Sequence, residues 1–488
     1  MRTRIPSRRH ARSVRAGRWI AVLTLPLALS ACAIGPNYRR PAIETPPTYY
    51  GAEAAASPVS IADLPWWELF QDPVLEGLID EALVSGYDIR IVARRVEQAR
   101  YAVGVTRADL LPQASYEGSA QRGRVFNPFG GGNATGNVFL GALQMAWEID
   151  VWGRIRRATE QSLADLVGAE DVRRGVVLSL VTGVAQAYFE LRELDLELEI
   201  ANRNVQSFQS TFELFNRQFR GGVSSRLDSL RAEAALAQAQ STVPLIEQRI
   251  RAKENQLAVL LGRTPGPIPR GESLLASSLP PEIPAGVPSL LLERRPDLIE
   301  AEQNLVAANA QIGVAFAEFF PRLGLTTLYG SATSELDDFL KSGTGAWSRA
   351  AAATGPLVTF GRTWYAWESA EAGAQSAVSR YQQSVLAALA DVSNALTARE
   401  KVTAQRISLE RQVAALQESV RLAEKRYVGG LSTYLEVLDA QQQLFPAELS
   451  LAQAQRDERL VLVDLYRALG GGWSQAGEPP SIPHPFAP

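Results

Sequence analysis

Apolar residues recur along this chain at two different spacings, and the switches between them mark its elements. From Arg154 to Phe219 there is no proline, and Leu194, Leu198, Ala201, Val205, Phe208, Phe212, Phe215 and Phe219 fall alternately four and three apart. Leu409, Val413, Leu416, Val420, Ala423 and Tyr427 follow the same rhythm. A seven-residue seam predicts a helix that supercoils left-handedly against a partner. At 1.5 Å per residue, roughly 65 residues make a helix of about 100 Å. Each long helix is expected to stop at a double glycine, Gly221-Gly222 or Gly429-Gly430. Glycine supplies the left-handed cap, and Ser224 and Ser432 are the expected N-caps of returning helices that end at Gly262 and Gly470. Pro244 and Pro446 predict mild kinks in those returning helices. Shorter helical patterns run from Asp88 to Asp109 and from Asp297 to Glu318, and Pro-rich stretches at 41–47, 264–269 and 279–288 read as linkers or belt margins.

After Pro112 the period changes to two. Gln113, Ser115, Glu117, Ser119 and Gln121 form one face; Ala114, Tyr116, Gly118 and Ala120 form the other. Beyond the loop NPFGGGNATG (127–136), Phe139, Leu143, Met145, Trp147 and Ile149 alternate with Ala142, Gln144, Ala146, Glu148 and Asp150. Two-faced strands joined by a long Gly/Asn-rich loop suit an outer-membrane barrel; a half-buried hairpin of a soluble domain is the plainer alternative. A second such pair is expected at 321–333 and 346–361, held by the repeat rather than by its own alternation. Four strands cannot close a barrel, and lipid tolerates no open sheet edge, so spanning strands force oligomerisation. Three copies give twelve strands and a wider lumen than two copies do.

The chain is written twice. FRGGVSSRLDSLRAEAALAQAQ (219–240) recurs 208 positions later as YVGGLSTYLEVLDAQQQLFPAE (427–448), Trp152-Gly153-Arg154 matches Phe360-Gly361-Arg362, and Leu111-Pro112 matches Phe320-Pro321. A period this long marks a duplicated architectural half rather than a solenoid. The expected organisation is a signal segment at 1–31, a first repeat at 32–262 and a second at 263–470. Strand hairpins fall at about 111–151 and 321–361, helical hairpins at about 154–262 and 362–470, and a tail at 471–488.

Composition narrows the chemistry. His10, His484 and Cys32 are the only imidazoles and thiol, all near the ends, which disfavours His-based catalysis and soft-metal sites. No enzyme activity, cofactor or metal is expected. Mean hydropathy of -0.07 does not describe a helical membrane protein. The first 31 residues carry seven Arg and no acid before the apolar run Trp19–Leu29, which reads as a secretory signal. It ends Leu29-Ser30-Ala31-Cys32, similar to a bacterial lipobox, so Cys32 is the expected lipidation site. Several acyl chains anchor stably where one is marginal. Removing the signal takes the formal charge from -3 to -3 - 7 = -10, so the exported protein is acidic.

CAIGPNYRRP (32–41), WWELFQDPVLEGLIDEAL (66–83), WEIDVWGRIRRA (147–158), ERRPDLIEAEQNL (293–305) and YVGGLSTYLEVLDAQQQL (427–444), in this order, resemble the outer-membrane factor family. The likeness is to its TolC/OprM-like lipoprotein branch serving resistance-nodulation-division (RND) efflux pumps. It implies a mixed α and β fold: a homotrimeric tube with a 12-stranded transmembrane β-barrel, four strands per chain, and a long periplasmic α-helical barrel. It also implies a passive exit duct for drugs or other small molecules, with outer-membrane lipid around it and no nucleic acid. Its partners are a periplasmic adaptor and an inner-membrane pump.

Carried onto this chain, the adaptor-docking tip is Gly221, Gly222, Val223 and Ser224 with Gly429, Gly430, Leu431 and Ser432. The periplasmic gate is Leu435 and Asp439, one helical turn apart. The chain departs from many relatives in carrying Gln442 three residues after that Asp, and Arg231 is the repeat equivalent of Asp439. Two rivals remain: a lipid-anchored coiled-coil scaffold without a pore, and a duct for secreted protein or metal ion.

Overall fold

The computed structural model describes residues 33–51, 60–70, 72–127, 132–271, 273–274, 286–339, 341 and 343–471. The expected signal segment, Cys32, tail residues 472–488, loop residues 128–131 and most of the Pro-rich stretch 279–288 lie outside the described residues. Helices α1 (Trp66–Phe70), α2 (Pro73–Ser85) and α3 (Tyr87–Ala108) precede strands β1 (Gln113–Asn127) and β2 (Gly132–Ile149). Then come α4 (Arg154–Arg220) and α5 (Arg226–Leu260). The order recurs as α6 (Leu291–Arg294), α7 (Pro296–Ala317), β3 (Arg322–Thr333), β4 (Gly345–Thr354), α8 (Arg362–Val428) and α9 (Tyr434–Ala468). The long helices α4 and α8 are each 67 residues, and α5 and α9 are each 35, so the duplication extends to element length.

Two details differ from the expectations. The N-caps are Ser225 and Thr433, not Ser224 and Ser432. The cause is the helix stop: the N–H groups of Val223 and Ser224 both return to the Gln218 carbonyl, which occupies Ser224 in the turn. Ser225 Oγ then accepts from the Asp228 N–H at 3.2 Å, whereas Thr433 makes no side-chain cap bond. As expected, Pro244 and Pro446 lie within the returning helices α5 and α9. Finally β4 ends at Thr354, short of 361; Pro356 has no N–H to offer a ladder.

The residues form two compact units, and each draws on both repeats. The first takes the chain up to Ala42, Val96–Ala169 and Glu300–Tyr381; the second takes Ile43–Arg95, Glu170–Ile299 and the chain from Gln382 on. Within the first unit the sheet is an antiparallel meander in the order β1-β2-β3-β4. Beside it, residues 33–41 are strapped down. The buried Arg157 guanidinium donates to the carbonyls of Ile34 (3.1 Å) and Gly35 (3.2 Å) and to Asn37 Oδ1 (2.8 Å). Tyr38 and Arg40 both donate to Glu302. Gly35 needs to be glycine: its φ is +98°, and an added Cβ would lie 2.6 Å from Gly313 Cα.

In the second unit the heptad positions turn inward. Phe208 packs with Leu236, Ala239 and Leu438, and Ala423 with Val437 and Ala440. The two helical hairpins of one chain therefore share an apolar seam, with Tyr434 touching both groups. Deeper along α4 lies a buried carboxyl pair, Glu193 and Glu197. Glu197 accepts from Arg249 (2.7 Å) and Gln453 (3.0 Å), while Arg456 stands 3.6 Å from Glu193. Burial, then the hydrogen bond to Glu197 and its charge, pushes the Glu193 carboxyl well up, against the opposing pull of Arg456 and Arg249. A raised acid is protonated in the folded state over a range where the unfolded chain has lost that proton. The stability it contributes is thus complete below the ordinary carboxylate range and is lost as pH rises through the folded value. Urea unfolding followed from pH 5 to pH 9 should show declining stability across that range, and Glu193→Gln should flatten the decline.

Candidate functional site

Two features carry functional promise: the two faces of the sheet and the two helical tips. The register sorts the sheet faces. Gln113↔Ala146, Ser115↔Gln144 and Glu117↔Ala142 pair on one side, so these polar positions of β1 and β2 share a face, while Arg122↔Asn137 lies on the other near the strand ends. On the other side Tyr116 lies opposite Leu143, Leu143 opposite Tyr329, and Tyr329 opposite Trp347. All four of these large side chains are exposed, forming a continuous apolar row across every strand. Met145, Trp147 and Leu325 extend the same face, and Arg349 lies on it with its guanidinium 6.0 Å from the Trp347 ring centre. An apolar, aromatic outer face opposite a polar one is the pattern of lipid-facing and lumen-facing residues in a membrane barrel. Among the described residues no helix is long and apolar enough to cross a membrane.

Each helical tip is built from its double glycine. Gly222 (φ +73°) and Gly430 (φ +70°) take the left-handed conformation. The next residue's N–H then returns to the helix, Val223 to Gln218 at 2.8 Å and Leu431 to Arg426 at 2.9 Å. That is the Schellman closure, which satisfies carbonyls a helix end would otherwise leave open. Gly221 and Gly429 close the last ordinary turn onto Arg217 and Lys425. A side chain at Gly222 or Gly430 would meet nothing within 4 Å, so backbone conformation rather than space demands glycine. Val223 and Leu431 stand exposed at the two apices, followed by Leu227 and Leu435, which occupy equivalent positions and are exposed too. Ser224 and Ser432 are half-buried beneath them, with Ser224 Oγ reaching back to the Phe215 carbonyl at 3.4 Å.

The expected gate residues both lie on the open side of α9. Leu435 is exposed, and Asp439 accepts from Gln443 at 2.8 Å, one turn further along its own helix. Gln442 is exposed. Sequence reasoning missed an aromatic cluster behind the tips: the Tyr434 ring lies 4.1 Å from Phe215 and is tilted 52° to it, and Tyr427 lies 5.9 Å from both. Tyr427 also donates to Gln218 at 3.2 Å, tying one tip to the other. Phe215 and Tyr427 stood on the two seams; Tyr434 lay outside any period.

A duplicated chain with a two-faced antiparallel sheet and long helical hairpins closed by paired glycine tips is the architecture of an outer-membrane channel subunit. This chain belongs to the outer membrane efflux protein family, whose sequence model matches it twice, at residues 78–263 and 287–471. It is similar to the solvent efflux pump outer membrane protein SrpC of Pseudomonas putida, 34% identical over 457 residues that cover 92% of this chain and 97% of SrpC. It is 32% identical over 451 residues to the cation efflux system protein CusC of Escherichia coli K12, covering 91% and 97% of the two chains. The open-state crystal structure of the MtrE outer membrane channel of Neisseria gonorrhoeae superposes with a TM-score of 0.80. That match has 32% identity and covers 90% of this chain and 98% of MtrE. The protein is thus an outer-membrane protein of efflux.

Proposed function

We propose that three copies of this chain form the passive exit duct of a tripartite efflux system, taking drugs or other small molecules from an inner-membrane RND-type pump through a periplasmic adaptor. The observation that carries this reading is the sheet: four strands, one apolar and one polar face, and two strand edges, β1 and β4, that find no partner among the described residues. A sheet edge in lipid leaves backbone groups unsatisfied at several kcal/mol each, on the order of the cost of burying any unpaired polar group. Three copies supply twelve strands, enough to close a barrel with a lumen.

Cys32 anchors each copy through its acyl chains in this reading. The exposed apolar apices around Gly221, Gly222, Val223, Ser224, Gly429, Gly430, Leu431 and Ser432 receive the adaptor. Leu435 and Asp439 narrow the periplasmic end, where Asp439 accepts from Gln443 of its own helix. Catalysis has no part in this reading.

The test is the native mass of the detergent-purified protein together with radiolabelled palmitate incorporation. A trimer whose label disappears in Cys32→Ala supports the proposal. A monomer, or label retained in that variant, contradicts it.

A further inference from the structure

The two ends of the sheet treat their arginines differently. At the end that continues into the helices, arginines are matched with acids of this chain. Arg154 donates to Glu148 at 3.0 and 2.9 Å, Arg156 to Asp150 at 3.2 Å and Arg322 to Glu318 at 2.6 Å. At the other end, toward the turn of the first hairpin, Arg122 and Arg124 are exposed. Neither makes a hydrogen bond or ion pair among the described residues. The four residues between β1 and β2 are Pro128-Phe129-Gly130-Gly131 and add no charge.

Strand register fixes the face and the height of these two side chains. Both share the face of Tyr116, with Arg122 opposite Asn137 and Arg124 opposite Thr135. On that face β2 is apolar from Ile149 up to Phe139, about the 9–11 residues a tilted strand needs to cross the hydrocarbon. Ala120 pairs with Phe139 at the last apolar level. One step further the same face turns polar and cationic. The opposite face at these levels carries Gln121, Gly123, Val138 and Gly136, and no charge. Solvation alone does not select a face; a neighbour on the lipid side does.

We propose that Arg122 and Arg124 clamp a phosphate of the phosphorylated glycolipid, lipid A, that fills the outer leaflet of the membrane. This inference rests on the membrane reading above, in which the helices are periplasmic and the hairpin turns external. Alternate positions on one strand put the two Cα atoms about 7 Å apart, so both guanidinium groups reach one phosphate. A planar guanidinium binds phosphate through two parallel N–H bonds, which a lysine ammonium does not. Arginine on the lipid face costs little at the interface, in contrast to the midplane. The exported chain is acidic overall, so its bulk charge would repel an anionic lipid, and the attraction is local to this pair. The repeat equivalents, 209 positions on, are the uncharged Ser331 and Thr333. Each chain therefore offers one such pair, on its first hairpin alone.

Native mass spectrometry of the full-length protein in detergent, titrated with diphosphoryl lipid A, reads the site directly. The parent should hold one lipid A per chain. Arg122→Gln combined with Arg124→Gln should bind roughly tenfold more weakly. Arg122→Lys with Arg124→Lys should fall between, keeping the charge and losing the fork. Gln121→Arg with Arg122→Gln moves one cation to the other face at constant net charge and should also weaken binding. Phosphatidylglycerol should compete poorly, because its phosphodiester carries one charge where a phosphomonoester carries about 1.5–2. Should the Gln pair fail to assemble, the Lys pair and the face-swapped pair make the same comparison. Lipid A bound equally by parent and variants overturns the inference, as does phosphatidylglycerol bound as tightly as lipid A. If the parent is nonetheless found in washed outer membranes, this inference falls alone. A parent missing from those membranes overturns the reading beneath it as well.

Discussion

Leu143→Arg should keep this protein out of the outer membrane, while Gln144→Arg, one residue along the same strand, should be tolerated. Leu143 sits in the middle of the exposed row Tyr116–Leu143–Tyr329–Trp347, four positions from Phe139 on one side and from Trp147 on the other. An arginine on the lipid face near the bilayer midplane costs about 2–4 kcal/mol, falling toward zero at the interfaces. The cost recurs in every copy of an assembly, and stability margins of folded proteins are commonly only about 5–15 kcal/mol. Gln144 lies on the opposite face among Ser115, Thr326 and Leu328. There a charge meets water in a lumen rather than lipid. The measurement is the amount of each variant in washed outer membranes, with heat-resistant trimers scored in parallel. Equal loss of both variants would mean that the two faces do not meet different solvents, and the membrane assignment of the sheet would fall.

The second large effect belongs to the tips. Gly430→Val should abolish export while leaving trimers in the membrane. The left-handed backbone at Gly430 costs an L-residue roughly 1–2 kcal/mol, and a β-branched side chain is among the worst choices for it. That penalty is confined to one exposed turn, too small to unfold a helix of 67 residues packed along a seam. It suffices to open the closure from Leu431 to Arg426 and move the exposed Leu431 off the apex. Gly429→Ala, at a position without positive φ, should leave export nearly intact. Cellular accumulation of a fluorescent efflux substrate distinguishes the two. Export that survives Gly430→Val and Gly222→Val together would show that tip geometry does not carry docking.

Local and periodic features of this fold were legible in the sequence. The seam from Leu194 to Phe219, the double glycines and the two faces of β1 and β2 follow from spacings of three-and-four, two, and single residues. Each depends only on neighbours a few positions away. What stayed hidden depends on chain segments brought together from afar. Glu193 and Glu197 are one helical turn apart and read as a solvated stripe until Gln453 and Arg249 close over them. Arg157 looks like any surface arginine near a helix start, yet besides Glu160 its acceptors lie more than a hundred residues earlier. The first cap falls at Ser225 rather than Ser224 because two N–H groups share the Gln218 carbonyl in that tip, a geometric detail no residue preference encodes. Strand β4 ended early at Thr354, just before Pro356, which has no N–H for a ladder.

In the proposed duct, assembled copies enclose a path through the outer membrane that narrows at Leu435 and Asp439. Single-channel recording in planar lipid bilayers tests it most directly, comparing the purified trimer with a Leu435→Ala, Asp439→Ala variant. A duct gives discrete conductance steps whose reversal potential in a salt gradient mildly favours cations, with larger steps in the variant. Trimers that insert into the bilayer yet pass no current, in the variant as in the parent, would contradict it.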